Sequence, residues 1–263
     1  MPIDLTGTRA IVSGSTAGIG FGVARGLAEA GAEVIINGRT AERVEKALAE
    51  LRQFVPRAVF GGIAADLGTP EGVQGFISQA GEADILVNNL GIFEPAPFEE
   101  ITDDDWQRFF DTNVMSGLRL SRHYLPRMVQ RGWGRVVFIS SASALQIPVS
   151  MIHYGVTKSA QLAISRGLAE SVAGSGVTVN AVLPGPTRTE GVEKIFRDVV
   201  VATGLSQEQL EKQYFAQPST SILGRMETAE EVANLIVYIC SRAASATTGA
   251  TLRADGGMVR TIA

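Results

Sequence analysis

Seven short runs rich in Val and Ile recur along the chain, separated by longer stretches of helical periodicity. They are RAIVS (9–13), EVIIN (33–37), AVFGGIA (58–64), DILVN (84–88), RVVFIS (135–140), VTVNAVL (177–183) and ATLRA (250–254). Most are continuously apolar rather than alternating, as strands covered on both faces must be. Between them apolar positions fall on one helical stripe, as in GIGFGVARGLAEAG, where Ile19, Val23 and Leu27 line up. Strand and helix in alternation predict right-handed βαβ units. The expected fold class is α/β: one domain over residues 1–263, a doubly wound parallel sheet of about seven strands with helices on both faces.

Two long helices are expected to flank the fifth strand. The first starts at Thr102, where Asp103, Asp104 and Asp105 suit the positive end of the helix dipole. It runs towards Met128, with Pro126 expected to kink or end it. The second begins near Met151. Residues 187–226 break the alternation, with two helical patterns around Val192–Val201 and Ser206–Phe215 and no strand between them. An insertion after the sixth strand lies above the carboxyl ends of the sheet, where open α/β folds bind ligands. A substrate lid is the expectation, with a subunit contact as the alternative. Its Ile195, Phe196, Tyr214 and Phe215 suit a partly apolar substrate, and equally the inner faces of two short amphipathic helices.

Composition narrows the function classes. Hydrophobic residues at 45% and charged residues at 19% provide a large core. A net charge of −4, with Lys and Arg scattered, gives a nucleic-acid partner no support. A single cysteine, Cys240, excludes an internal disulfide and fits a reducing compartment. No secretory leader is evident in MPIDLTGTRAIVSG, and no apolar run is long enough to span a bilayer, so a soluble cytoplasmic protein is expected. His123 and His153 lack companions at metal-ligand spacing, and no metal is expected.

The turn after the first strand, Gly14-Ser15-Thr16-Ala17-Gly18-Ile19-Gly20, leads straight into a helix. Its glycines permit a tight turn and bring backbone N–H groups close to a pyrophosphate at the helix N-terminus. A plain βα connection is the alternative. NAD-binding folds commonly place a carboxylate after the second strand to hold the ribose hydroxyls. This chain has Asn37, Gly38 and Arg39 there. A guanidinium without a repelling carboxylate favours a 2′-phosphate, so NADP(H) is favoured and NAD(H) possible. Asp66 and Leu67 after the third strand are placed to meet an adenine, and Asn88, Asn89 and Gly91 follow the fourth. Asn89 suits either the cofactor or a bridge between loops.

Four polar residues follow in order: Asn113 in the first long helix, Ser141 after the fifth strand, then Tyr154 and Lys158 in the second. Tyr154 and Lys158 lie one helical turn apart on one stripe. A free phenol, with a pKa of about 10, is a poor proton donor or acceptor at neutral pH, and a nearby ammonium would stabilise its anion. With G-x3-G-x-G, N-N-x-G, Y-x3-K and the closing T-G-x5-D-G-G at Thr248, Gly249, Asp255, Gly256 and Gly257, the chain resembles the short-chain dehydrogenase/reductase family over nearly its whole length.

That resemblance implies a Rossmann-type domain moving hydride between a nicotinamide and a carbonyl or alcohol. It implies that Tyr154 is the general acid/base, Lys158 its electrostatic partner and the holder of the nicotinamide ribose, Ser141 a donor to the substrate oxygen, and Asn113 the anchor of a proton-relaying water. Pro184, Gly185, Thr187 and Thr189 resemble the loop that holds the nicotinamide carboxamide. Ser13 stands where the family usually has threonine, Leu90 where it has alanine, and Ala17 where NADP-dependent relatives often carry a base. The expected partners are a small carbonyl or alcohol and further copies of the chain, as a homodimer or homotetramer through the two long helices, whose Gly155, Ser159, Ala160 and Ala163 permit close packing. Reduction of 3-oxoacyl thioesters, or a non-enzymatic nucleotide sensor, are the alternatives. Arg127 and Arg131 end the first helix, but the second ends on Glu170, a poor match to an acidic carrier.

Overall fold

All seven apolar runs become strands of one parallel sheet in the computed structural model, which describes residues 3–217 and 220–262. They are β1 (Arg9–Val12), β2 (Glu33–Gly38), β3 (Phe60–Ala64), β4 (Ile85–Asn88), β5 (Gly134–Ile139), β6 (Val177–Pro184) and β9 (Thr251–Ala254). Their spatial order is β3-β2-β1-β4-β5-β6-β9. The chain winds outward from β1 in one direction and then, from β4, in the other. At this reversal Ala10 pairs with Ile85 and Val12 with Val87. The diverging loops above β1 and β4 leave a crevice there.

The continuous apolar runs are explained by two cores, one on each face. Ala10 and Val12, Val34 and Ile36, and Val137 and Ile139 point into one, packed by α1 (Gly18–Glu29), α2 (Ala41–Phe54) and α9 (Ala229–Cys240). The intervening Ile11, Ile35, Val136 and Phe138 point into the other, with α3 (Pro70–Ala80), α5 (Ser116–Arg131) and α6 (Ile152–Ser171). Neither face can turn polar without losing a core. Cys240 is a buried free thiol within the first. Among the described residues no helix is long and apolar enough to cross a membrane.

The first long helix differs from expectation. Thr102 does cap it, its hydroxyl accepting from Asp105 N–H while the Asp105 carboxylate accepts from Thr102 N–H. The helix α4 (Asp103–Phe110), however, passes into a π turn at Asp111–Met115 before continuing as α5. Pro126 does not end it, and α5 runs on to Arg131. The proline and Arg122, whose carbonyl loses its donor, are both exposed, so water can serve in its place.

The insertion forms α7 (Glu190–Thr203) and α8 (Gln207–Phe215). Sequence periodicity missed the two-residue strands that close its base, where β7 (Thr187–Arg188) pairs in parallel with β8 (Glu227–Thr228).

Candidate active site

The crevice opens into a cavity of about 500 Å³ at the carboxyl ends of β1, β4, β5 and β6. Its floor is the Gly14–Gly20 turn. Gly14 and Gly18 have φ of 60° and 57°, conformations that favour glycine. A Cβ on Gly20 would lie 2.4 Å from the Asn89 amide and 2.7 Å from the Gly14 carbonyl, so the turn closes only around hydrogen there. Every other helix that frames the sheet's crevice and lid from α2 to α4 and α7 to α9 begins on a Thr or Ser side-chain cap. The α1 helix begins on Ala17, which offers none. Its first N–H groups therefore face the cavity, a cradle that fits a pyrophosphate.

The loops around this cradle are stapled together. Ser13 Oγ accepts from Asn89 N–H at 2.9 Å and Leu90 N–H at 3.0 Å, while the Asn89 amide donates to the Ser13 and Gly14 carbonyls at 3.0 and 2.9 Å. The hydroxyl kept at position 13 is thus used, and Asn89 bridges the β1 and β4 loops. Ser15 is fully buried and donates to the Val12 carbonyl at 2.6 Å, below the cavity wall. Asn37 Oδ1 accepts from Gly14 N–H at 3.2 Å and its amide reaches the β3 carbonyls of Ile63 and Ala65. Asn88 is also internal, donating to Ser121, and Leu67 is core. Thr16 lies over Gly38, and Arg39 and Asp66 stand exposed beyond the cavity at the open end of β2 and β3. Among the described residues Arg39 makes no ion pair.

At the other end, Tyr154, Ser141 and Lys158 meet on the cavity wall with Gly91 and Pro184, Gly185, Thr187 and Thr189. The Ser141 side chain adjoins the Tyr154 phenol and favours its ionised form. The neighbouring serines are engaged otherwise: Ser140 donates to the Lys158 carbonyl at 2.8 Å, and Ser143 gives its N–H to Ser141 Oγ at 3.1 Å. Lys158 Nζ lies 5.6 Å from the Tyr154 ring centroid and donates to the Ile139 carbonyl at 2.9 Å and to Gln161 Oε1 at 3.3 Å. Asn113 is 1% exposed, its side chain exchanging two hydrogen bonds with the Ile92 backbone and donating to Thr157. The π turn loosens the helical ladder at Asn113, whose carbonyl accepts from Gln161 Nε2 at 2.5 Å. Gln161 thus links Lys158 to Asn113. Sequence reading missed it, although its spacing of three from Lys158 on one helix was the available signal.

The electrostatics correct one expectation. Burial pushes the phenol of Tyr154 above its ordinary value, and Ser141 offsets this only in part. Burial also brings Lys158 down to about 7, because the same enclosed cleft desolvates its ammonium. In the chain alone, burial thus works against the charge on Lys158.

The insertion reaches this site through Phe93. Its ring stands edge-on to Tyr154 with centroids 6.1 Å apart, and a Cβ on Gly191 in α7 would lie 3.2 Å from it. The Thr189 hydroxyl caps α7 by accepting from Val192 N–H, and its methyl group packs over Gly18. His153 points away, stacked on Phe109 at 4.0 Å, and burial lowers its pKa. No group of His, Cys, Asp or Glu able to hold a metal occurs among the described residues. Gly155 is buried within the chain against Ile147 and the Ser143 carbonyl.

A family model described as enoyl-(acyl carrier protein) reductase matches residues 14–259. The chain is 47% identical over 263 residues to the "uncharacterized oxidoreductase YvaG" of Bacillus subtilis, covering 100% of both. It is 33% identical to the 3-oxoacyl-[acyl-carrier-protein] reductase FabG of Aquifex aeolicus, covering 98% of this chain and 100% of that protein. The solved L-sorbose reductase of Gluconobacter frateurii, in complex with NADPH and L-sorbose, is 31% identical with a TM-score of 0.93 over 100% of both chains.

Proposed function

The chain belongs to the short-chain dehydrogenase/reductase family of NAD(P)-dependent oxidoreductases, and on that premise we propose that it interconverts a carbonyl and an alcohol with NADP(H). The observation that carries this reading is the neighbouring Tyr154 and Ser141, with Lys158 beneath the Tyr154 ring, on the wall of a cavity whose far end is an uncapped helix N-terminus.

Pro184, Gly185, Thr187 and Thr189 would hold a nicotinamide, which would supply hydride for reduction or accept it in oxidation. Ser141 donates to the substrate oxygen and holds the carbonyl against Tyr154. Tyr154 delivers its phenolic proton as charge builds on that oxygen, and Lys158 stabilises the phenolate left behind. Gln161, anchored on the Asn113 carbonyl at the π turn, holds Lys158 in place. In oxidation the same groups work in reverse, with the Tyr154 phenolate as base.

NADP(H) is supported by Arg39, free of ion pairs among the described residues at the open end of β2, where Asn37 and Gly38 stand in place of a carboxylate. Solved relatives are also complexed with NADPH or NADP. Assembly into a homodimer or homotetramer is supported by the outward face of α6, where Ala163 and Gly167 leave a flat exposed stripe.

The test is NAD(P)H oxidation across ketones, keto-sugars and 3-oxoacyl thioesters, with Tyr154→Phe and Arg39→Ala beside the wild type. Tyr154→Phe is expected to lower kcat by about 10²–10⁴, the usual contribution of a positioned acid. Arg39→Ala is expected to raise KM for NADPH and leave that for NADH alone. Full activity in Tyr154→Phe would remove the mechanism; an NADH preference in the wild type would remove only the Arg39 argument.

A further inference from the structure

Resting on the reading of the site as a carbonyl–alcohol oxidoreductase, we infer that its substrate is an uncharged, apolar ketone or aldehyde, carrying an aryl or branched alkyl group, and neither a polyhydroxy sugar nor an anionic acyl compound. The inference comes from the wall beyond Tyr154 and Ser141. Phe93, Met151, Phe196, Tyr214, Met226 and Met258 face the cavity there, from the β4 loop, the start of α6, the lid and the chain's last loop. Three of the six methionines in the sequence are gathered on this wall. Thioether and aromatic surfaces make soft, adaptable contacts with apolar groups, and thioether against aromatic ring is itself favourable.

A ketose brings several hydroxyls into this space, and each one buried without a partner costs about 1–3 kcal/mol. The polar side chains on the wall are mostly committed elsewhere. Asn89 donates to the Ser13 and Gly14 carbonyls, Ser140 to the Lys158 carbonyl, and Thr187 to the Gly185 carbonyl. Apart from the catalytic groups, the Ser143 and Tyr214 hydroxyls are those left without a side-chain bond among the described residues. Two hydroxyls do not match the pattern of a sugar.

Charge argues against an acid or a carrier-borne thioester. Lys158 is the one cation on the cavity wall among the described residues, and it is held by Ile139 and Gln161. The nearest guanidiniums are engaged outside: Arg43 with Glu190 at 3.0 Å, and Arg188 with Glu193 and Glu211. Glu190 lines the cavity and holds Arg43, so this pair offers an incoming carboxylate or phosphate no free cation. The likeness to an L-sorbose reductase is one of fold, and substrate choice lies in side chains that a backbone match does not carry over.

The experiment compares kcat/KM with NADPH for acetophenone, 4-acetylbenzoate, L-sorbose and an acetoacetyl thioester, with NADPH binding followed by its fluorescence. Acetophenone is expected to exceed both the carboxylate and the ketose by at least about a hundredfold, since a wall without partners for buried polar groups discriminates that strongly. Glu190→Gln is expected to raise the ratio of 4-acetylbenzoate to acetophenone turnover several-fold. Preference for the ketose, the carboxylate or the thioester overturns the inference and leaves the oxidoreductase reading standing. No turnover of any carbonyl by an enzyme that binds NADPH overturns that reading, and this inference with it.

Discussion

Lys158 holds a charge in a place that resists it, and the residues around it decide how much of that charge survives. Burial brings it down to about 7, so small changes in its acceptors alter the fraction of ammonium beneath Tyr154 at neutral pH. Gln161 Oε1 is one of two acceptors it has, the other being the Ile139 carbonyl. An acceptor favours the charged form. Replacing it by an apolar side chain therefore lowers Lys158 further and raises Tyr154. In Gln161→Leu, kcat/KM for alcohol oxidation is expected to fall about tenfold at pH 7, with its rising limb displaced upward by about one pH unit, the worth of one hydrogen bond to a charged group. A pH–rate profile of variant and wild type checks this. A merely structural defect would lower the plateau without moving the limb.

The two helices of the insertion are held to each other and to the strand at their base by one residue more than by any apolar face. Arg188, on the strand at its base, pairs with Glu193 in α7 and through two bonds of 3.0 Å with Glu211 in α8, and Gln207 joins both carboxylates. Neither helix contributes to the two cores, and neither has a buried residue. Arg188→Ala is expected to loosen α8, raise KM for the carbonyl more than for the cofactor, and open Arg197 and Lys212 to trypsin. The melting temperature should change little, because the cores are untouched. Resistance of the variant to trypsin would deny Arg188 this role. The lid helices, like the seven main strands, were legible in the sequence because each carries an apolar period of its own. The β7–β8 pair was not, since two residues show no period and their pairing spans 40 positions of chain. The π turn at Asp111–Met115 escaped for a related reason: one extra residue in a helical turn leaves the surrounding pattern almost unchanged. At the site, glycines and the Tyr154–Lys158 spacing could be read directly, whereas Gln161 acts through a contact with another helix, which spacing along α6 only hints at.

For the molecule as a whole, two buried groups set opposing slopes of stability against pH. Glu227, in β8, is 3% exposed, with neither carboxylate oxygen hydrogen-bonded among the described residues, and lies against Gly256. Burial raises it to about 7, with Asp255 and Glu231 adding to the rise and Arg225 opposing it. The folded state then holds its proton more tightly than the unfolded chain, so Glu227 costs nothing below about pH 4.5 and its full penalty above about 7. Lys158 runs the other way: folding penalises its charge up to about pH 7, and the penalty fades as the unfolded ammonium titrates towards 10.5. Glu227→Gln is therefore expected to melt with the wild type at pH 4.5 and above it at pH 8, as thermal melts at both pH values would show. An equal gain at both would mean that Glu227 does not titrate on folding.

The reversal of strand order between β1 and β4 has a further consequence. These neighbours come from parts of the chain 75 residues apart, and the cavity they open is walled from Gly14 to Met258. No contiguous fragment contains the site, so affinity for the dinucleotide exists only in the finished sheet. Ligand and fold are thus thermodynamically linked: a cofactor present at a hundred times its dissociation constant adds about 2.7 kcal/mol to the stability of the entire chain, which makes cellular nucleotide supply a determinant of how long the protein survives unfolding and proteolysis.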